Sequence, residues 1–101
     1  MTDRNVTREQ LERIVIACIS ECSGIPEGLL TADSDLTYNG IAGDDGFDIV
    51  QAIRSATGAK LEDYDFYPHF GPEAAFALHS PTSLTVDQLA DIVEADLCRA
   101  Q

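Results

Sequence analysis

Residues 40–58 constrain the fold more than any other stretch of the chain: Gly-Ile-Ala-Gly-Asp-Asp-Gly-Phe-Asp-Ile-Val-Gln-Ala-Ile-Arg-Ser-Ala-Thr-Gly. They read as a tight turn, an acidic helix start at residues 43–45, a helix of about four turns and a glycine stop. Gly43 or Asp44 can serve as N-cap, and carboxylates in a first turn lie where the helix dipole favours negative charge. Gly58 stands where a left-handed residue is expected just past a helix end. At about 100° per residue, Phe47, Ile49, Val50, Ala52, Ile53 and Ala56 sweep a broad apolar arc. Asp44, Asp48, Gln51 and Ser55 form one narrow polar stripe opposite it. A helix this apolar is expected at the centre of a bundle. Its stripe and acidic start, with Asp45, are the expected working surface.

Two further helices announce themselves by their caps. Thr7 with Gln10 and Thr85 with Gln88 both fit a capping box. The first helix is predicted to run to about Ser23, with Gly24 ending it and Leu11, Ile14, Val15, Cys18 and Cys22 on one buried face. The last is predicted to run to about Arg99, with Val86, Leu89, Ala90, Val93 and Leu97 inward and Cys98 exposed among Asp87, Asp91 and Glu94. Acidic neighbours are expected to keep Cys98 a thiol. Residues 25–39 read as a long loop pinned to the core by Leu29, Leu30 and Leu36. Tyr64, Phe66, Tyr67 and Phe70 alternate with acids in a short turn or single-turn helix that Pro68 is expected to end; closing the end of a small core is their expected task. Gly71, Pro72 and Glu73 then suggest a short helix to about His79, stopped by Pro81. No strand pattern emerges. The expected fold is all-α, a single domain over residues 1–101, with three main helices plus one or two short ones.

Charge narrows the partners. Eighteen acids stand against six bases, a formal net charge of −12, so nucleic acid and anionic membrane are excluded as expected partners, whereas a basic protein surface is favoured. With 45% hydrophobic residues the chain can fold without staples. Neither a signal peptide nor a membrane-spanning run is evident, and three cysteines without metal-ligand spacing suit a reducing, cytoplasmic compartment. Cys18 and Cys22, four apart, read as small buried hydrophobes rather than metal ligands. The Asp33, Ser34, Asp35 run is not a calcium loop, because Tyr38 occupies the position that needs glycine.

The order of a long first helix, long loop, acid-led second helix, short third element and last helix resembles the plan of an acyl carrier protein. Residues 25–27 (Ile-Pro-Glu), 33–36 (Asp-Ser-Asp-Leu) and Gly40-Ile41 are similar to that family's first loop, and residues 48–53 followed by Gly58 and Leu61 to its second helix. Gly43-Asp44-Asp45, residues 67–73 and Leu84-Thr85-Val86 resemble, more specifically, a family of bacterial acyl-carrier-like proteins to which no function is assigned. The resemblance covers roughly residues 7–99. It implies a four-helix carrier bundle, and a serine at the start of the second helix that accepts phosphopantetheine. Aligning residues 48–50 puts Gly43 at the serine position, and a one-residue slip puts Asp44 there. Neither provides the hydroxyl, and no serine lies between Ser34 and Ser55.

The resemblance therefore implies a non-enzymatic interaction protein without a cofactor. Its Asp44, Asp45, Asp48, Gln51 and Ser55 would dock on the basic surface of a partner such as a carrier-binding enzyme, in a fatty-acid or polyketide-type setting. Asp44 would hold fixed negative charge where the carrier phosphate sits. The alternative is a true carrier modified with phosphopantetheine at Ser34, or at Ser55, although aspartate-flanked loop serines usually build turns. An enzyme would have to use His69 or His79 with Asp65, Glu73 or Cys98, and nothing in the sequence brings these together. A metal site from His69, His79 and Cys98 lacks any recognised spacing.

Overall fold

The structure, a computed structural model, describes residues 7–39, 41, 44–62, 64–71 and 83–99. Both capping boxes are formed. The Thr7 hydroxyl accepts the Gln10 N–H at 3.1 Å while the Gln10 side chain accepts the Thr7 N–H at 3.0 Å. Thr85 and Gln88 repeat the exchange at 3.1 and 2.9 Å. Each exchange satisfies two donors, one of them an orphan N–H of the first turn, and so fixes where a helix begins. The helices that follow are α1 (Arg8–Ser23) and, at the far end of the chain, α4 (Val86–Arg99). Between them lie a 3₁₀ turn (Glu27–Leu29), α2 (Asp44–Thr57) and the single-turn α3 (Tyr67–Phe70). Every regular element among the described residues is helical, and one isolated antiparallel bridge pairs Asp35 with Thr85.

The ends of α1 and α2 use one device. Ser23 donates its hydroxyl to the Ile19 carbonyl at 2.6 Å and accepts the Ile25 N–H, spanning the left-handed Gly24. Thr57 donates to the Ile53 carbonyl at 2.8 Å and accepts the Ala59 N–H, spanning the left-handed Gly58. A hydroxyl followed by glycine thus satisfies a last-turn carbonyl and turns the chain away. After α2 the chain is held again: Lys60 donates its N–H to Asp96 of α4 at 2.8 Å, and Leu61 is buried with φ +55°. A leucine in that region costs about 1–2 kcal/mol, which its burial in the core offsets.

The core gathers Leu11, Val15 and Ile19 of α1, Ile49 and Ile53 of α2, Phe70 of α3 and Leu89 and Val93 of α4. The principal helix contacts are α1 with α2 and α1 with α4, and α2 also packs on α3. The shared helix is therefore α1, not α2, which corrects the expectation that α2 is central. Helix α2 accordingly exposes more than a stripe. Phe47 and Ala56, assigned to its apolar arc, reach the surface, while Gly46 and Thr57 are buried.

Other expectations shift for similar reasons. Leu30 and Leu36 pin the long loop, but Leu29 is 71% exposed because the 3₁₀ turn points it outward. Cys18 is buried, whereas Cys22, one turn further along α1, is only half-buried. The aromatic cluster divides: Phe66 and Phe70 enter the core, and Tyr64 and Tyr67 stay at the surface. Pro68 does not end the single-turn helix; it sits in the first turn, where its missing N–H costs nothing. The short helix expected at residues 72–79 lies outside the described residues.

The long loop is tied to the start of α4 through Asp35. Its Oδ1 accepts the Thr37 hydroxyl at 2.8 Å, the Thr37 N–H at 3.0 Å and the Leu84 N–H at 3.2 Å. Leu36 N–H to the Leu84 carbonyl and Val86 N–H to the Ser34 carbonyl complete the seam. Burial works against the Asp35 carboxylate, but the bonds from Thr37, Leu84 and Tyr38 outweigh it and hold its pKa below the usual value. A second clasp lies beside it, where Arg8 of α1 reaches Asp87, Asp91 and Glu94 of α4 as well as Glu12.

Two stability predictions follow from this packing. A Cβ at Gly46 would run into the Phe70 ring, whereas one at Gly28 would meet open space. Gly46→Ala should cost about 1–3 kcal/mol in chemical denaturation, and Gly28→Ala should stay within about 0.5 kcal/mol of wild type. Because the folded pKa of Asp35 is depressed, its contribution is present above the unfolded value and is lost as pH falls through the folded one. Asp35→Asn should cost about 1–2 kcal/mol at neutral pH, with the gap to wild type closing in acid; a gap independent of pH would contradict the carboxylate's role.

Candidate functional site

Helix α2 carries most of its polar side chains on the outside. Asp44, Asp45, Asp48, Gln51 and Ser55 are all exposed along its length. Asp44 and Asp45 occupy the first turn, where the unsatisfied N–H groups favour negative charge. Asp44 is itself the first helical residue, not an N-cap, and Gly43 lies outside the described residues. Among the described residues none of the three aspartates is ion-paired. The contrast with α4 is direct, because Asp87, Asp91 and Glu94 share the Arg8 guanidinium at 2.6–3.0 Å.

Phe47 interrupts this acidic surface. It lies three residues after Asp44 and next to Asp48, is 38% exposed, and meets buried Phe70 edge-on with ring centroids 6.0 Å apart. Periodicity assigned it to the interior, since a helical wheel identifies apolar positions but not which of them a neighbour covers. The α2 surface is thus an exposed aromatic edge with aspartates along one side of it. The field of these acids extends to the end of α1: burial raises the pKa of the Cys22 thiol, and Asp48, Glu21 and Asp45 raise it further. Cys18 is pushed up to about 11, chiefly by burial, then by Cys22 and Glu21. Neither cysteine is set up as a nucleophile at neutral pH.

The remaining candidates are placed elsewhere. The Ser34 hydroxyl accepts the Thr31 N–H at 2.9 Å and the Ser34 carbonyl takes the Val86 N–H, so this serine builds a turn and anchors the loop. Buried His69, 4% exposed, meets the Tyr64 hydroxyl at 2.8 Å through Nε2 and stacks on its ring. Asp65 instead accepts the Tyr67 N–H, and Cys98 lies exposed on α4. His79 and Glu73 lie outside the described residues. No cluster of three or more metal-ligating side chains occurs among the described residues, and no described helix is long and apolar enough to cross a membrane.

Two polar features escaped sequence reasoning. Asp96, only 8% exposed on α4, accepts the Lys60 N–H, and Tyr64 pairs with His69. The first depends on a contact between α4 and the turn after α2, 36 residues apart; the second on how the short α3 turn brings His69 back to Tyr64. No protein-family model, curated protein or solved structure matches the chain, so the meaning of its surfaces rests on their own chemistry.

The three thiols differ in access, and their alkylation should follow it. Iodoacetamide at neutral pH should label Cys98 first, Cys22 more slowly, and Cys18 only on unfolding, as read by peptide mass spectrometry. Early labelling of Cys18 would mean that the α1 face is not packed as described.

Proposed function

We propose that this chain is a non-catalytic, acyl-carrier-like interaction protein that docks α2 on a basic surface of a partner protein, in a fatty-acid or polyketide-type setting. The observation that carries the reading is the surface of α2: three exposed aspartates with no ion pair among the described residues, lying to one side of an exposed phenylalanine. Unpaired acids steer a cationic partner and impose register, whereas paired ones such as those on α4 have part of that attraction already satisfied. A partly exposed aromatic beside charged groups is an arrangement in which a contact excludes water and gains affinity. The order of the helices and the absence of a hydroxyl at Gly43 or Asp44 support the carrier-like part of the reading and argue for a scaffold without a prosthetic arm.

Helix α2 would then act by charge and shape alone. Asp44, Asp45 and Asp48 would meet lysine or arginine, Phe47 would enter an apolar depression between them, and Gln51 and Ser55 would hydrogen-bond at the rim. A carrier-binding enzyme is the expected partner type.

Two measurements test this. Affinity capture with the purified protein should retain a basic partner at low salt and lose it as ionic strength rises. Asp44→Lys with Asp48→Lys should abolish retention, and Phe47→Ala should weaken it by about tenfold while leaving the helical circular dichroism intact. Capture unchanged by the charge reversals would refute the docking surface. The intact mass should also stay constant after incubation with coenzyme A and a broad-specificity phosphopantetheinyl transferase; a gain would favour the modified-serine alternative at Ser34 or Ser55.

A further inference from the structure

A second surface, on the other side of α3, bears a feature that α2 docking does not use. A cleft of about 340 Å³ opens between the α2–α3 connection, α3 and the first half of α4. That volume lies at the lower end of small-ligand clefts, which run from about 300 to 1,000 Å³. Tyr64 and His69 line it from one side, and Gln88, Asp91 and Ile92 from α4. Ser83 and Leu84 close it where the chain enters α4. It thus combines an aromatic ring, aliphatic carbon and several hydrogen-bonding groups in one small space.

The polar groups in this cleft are unevenly committed. Gln88 accepts the Thr85 N–H through Oε1, so its amide NH₂ is the end left for another acceptor. Asp91 receives Arg8 on Oδ1 at 2.6 Å, and its Oδ2 takes no hydrogen bond from the described residues. The Ser83 hydroxyl has no partner among the described residues either. The Tyr64 ring, by contrast, is held firmly: its hydroxyl meets His69 Nε2 at 2.8 Å, its plane lies within 5° of the imidazole, and it packs edge-on against Phe66 at 4.8 Å. A fixed π face therefore shares the cleft with a carboxylate that has an oxygen to spare.

The electrostatics choose the ligand's sign. Arg8 is surrounded by Glu12, Asp87, Asp91 and Glu94, four carboxylates against one guanidinium, and all five of its N–H donors are engaged. The neighbourhood stays negative after that pairing, on a chain of net charge −12. An anion would be repelled here, and a neutral ligand would leave the charge unused. A cation beside a carboxylate and over a phenol ring is favoured by both.

We propose that this cleft binds a small organic monocation, a guanidinium or alkylammonium group of side-chain size, between the Asp91 carboxylate and the Tyr64 ring. Ile92 covers its aliphatic stem, and the Ser83 hydroxyl oxygen accepts one of its N–H groups. The site is separate from the α2 surface, and its success or failure leaves the docking of α2 undecided.

The test is a titration followed by amide and side-chain NMR shifts, with Nα-acetyl-arginine methyl ester as probe and its uncharged citrulline counterpart as control. The arginine ester should move Tyr64, Gln88 and Ile92 in a saturable way, and the citrulline ester should bind at least about threefold more weakly. Asp91→Asn and Tyr64→Leu should each weaken the arginine ester by about threefold, while Asp48→Asn on α2 should not. A short capped peptide with one central arginine separates the sources: binding as tight as the ester's assigns the cleft to a side chain presented by a protein, and loss of binding assigns it to a free small molecule. Equal binding of the two esters overturns the proposal. So do shifts spread over all acidic surfaces, including α2, and neither result depends on a variant that might fail to fold.

Discussion

The structure depends on α1 presenting a single apolar face to two helices at once. Leu11, Val15, Cys18 and Ile19 run along one side of α1, and both α2 and α4 pack against it. Each of these partners is amphipathic and only 14 residues long, too short to persist alone in water. Burial against α1 supplies what their propensity lacks. The two capping boxes and the two hydroxyl–glycine ends decide where these helices start and stop, so their apolar faces arrive in register.

The connections hold this arrangement with directed polar contacts as well as with buried Leu30, Leu36, Ile41, Leu61 and Leu84. The long loop after α1 contains one 3₁₀ turn and is tied to α4 by backbone bonds and by Asp35, whose one oxygen gathers donors from its own turn and from Leu84. Asp96 does the same for the turn after α2 by accepting Lys60 N–H. Both carboxylates sit on the seam with α4 and satisfy backbone donors that partial burial would otherwise leave costly. In a chain so rich in acid, these two are structural. Among the described residues the acids of α2 face solvent without a cation, as do Glu21, Glu27, Asp33 and Glu62.

What the sequence made legible was local. Thr7 with Gln10 and Thr85 with Gln88 declare helix starts within four residues, and Gly24 and Gly58 declare stops, because capping chemistry needs no distant partner. The polar stripe of α2 was equally readable from spacing, and every member of it is exposed. What stayed hidden was set by neighbours far along the chain. Phe47 looks apolar on any helical wheel, yet whether it is covered depends on α3 and on how closely Gly46 lets Phe70 approach. Leu29 is outward because of the 3₁₀ turn, and the Tyr64–His69 pair exists because a single-turn helix brings position 69 back over position 64.

Gly46 links packing to the proposed docking surface. Without a side chain there, the α3 ring seats directly on the α2 backbone, and the next residue, Phe47, is left at the rim of that contact instead of inside it. A larger residue at position 46 would run into the Phe70 ring and force α3 away from α2. The exposed aromatic among the aspartates is thus a consequence of close helix approach rather than of a polar position that happens to carry phenylalanine. A surface built this way is rigid where it is apolar, because the Phe47 ring rests on buried Phe70, and adaptable where it is charged. That division suits a contact whose partner is found by charge and retained by one fixed ring.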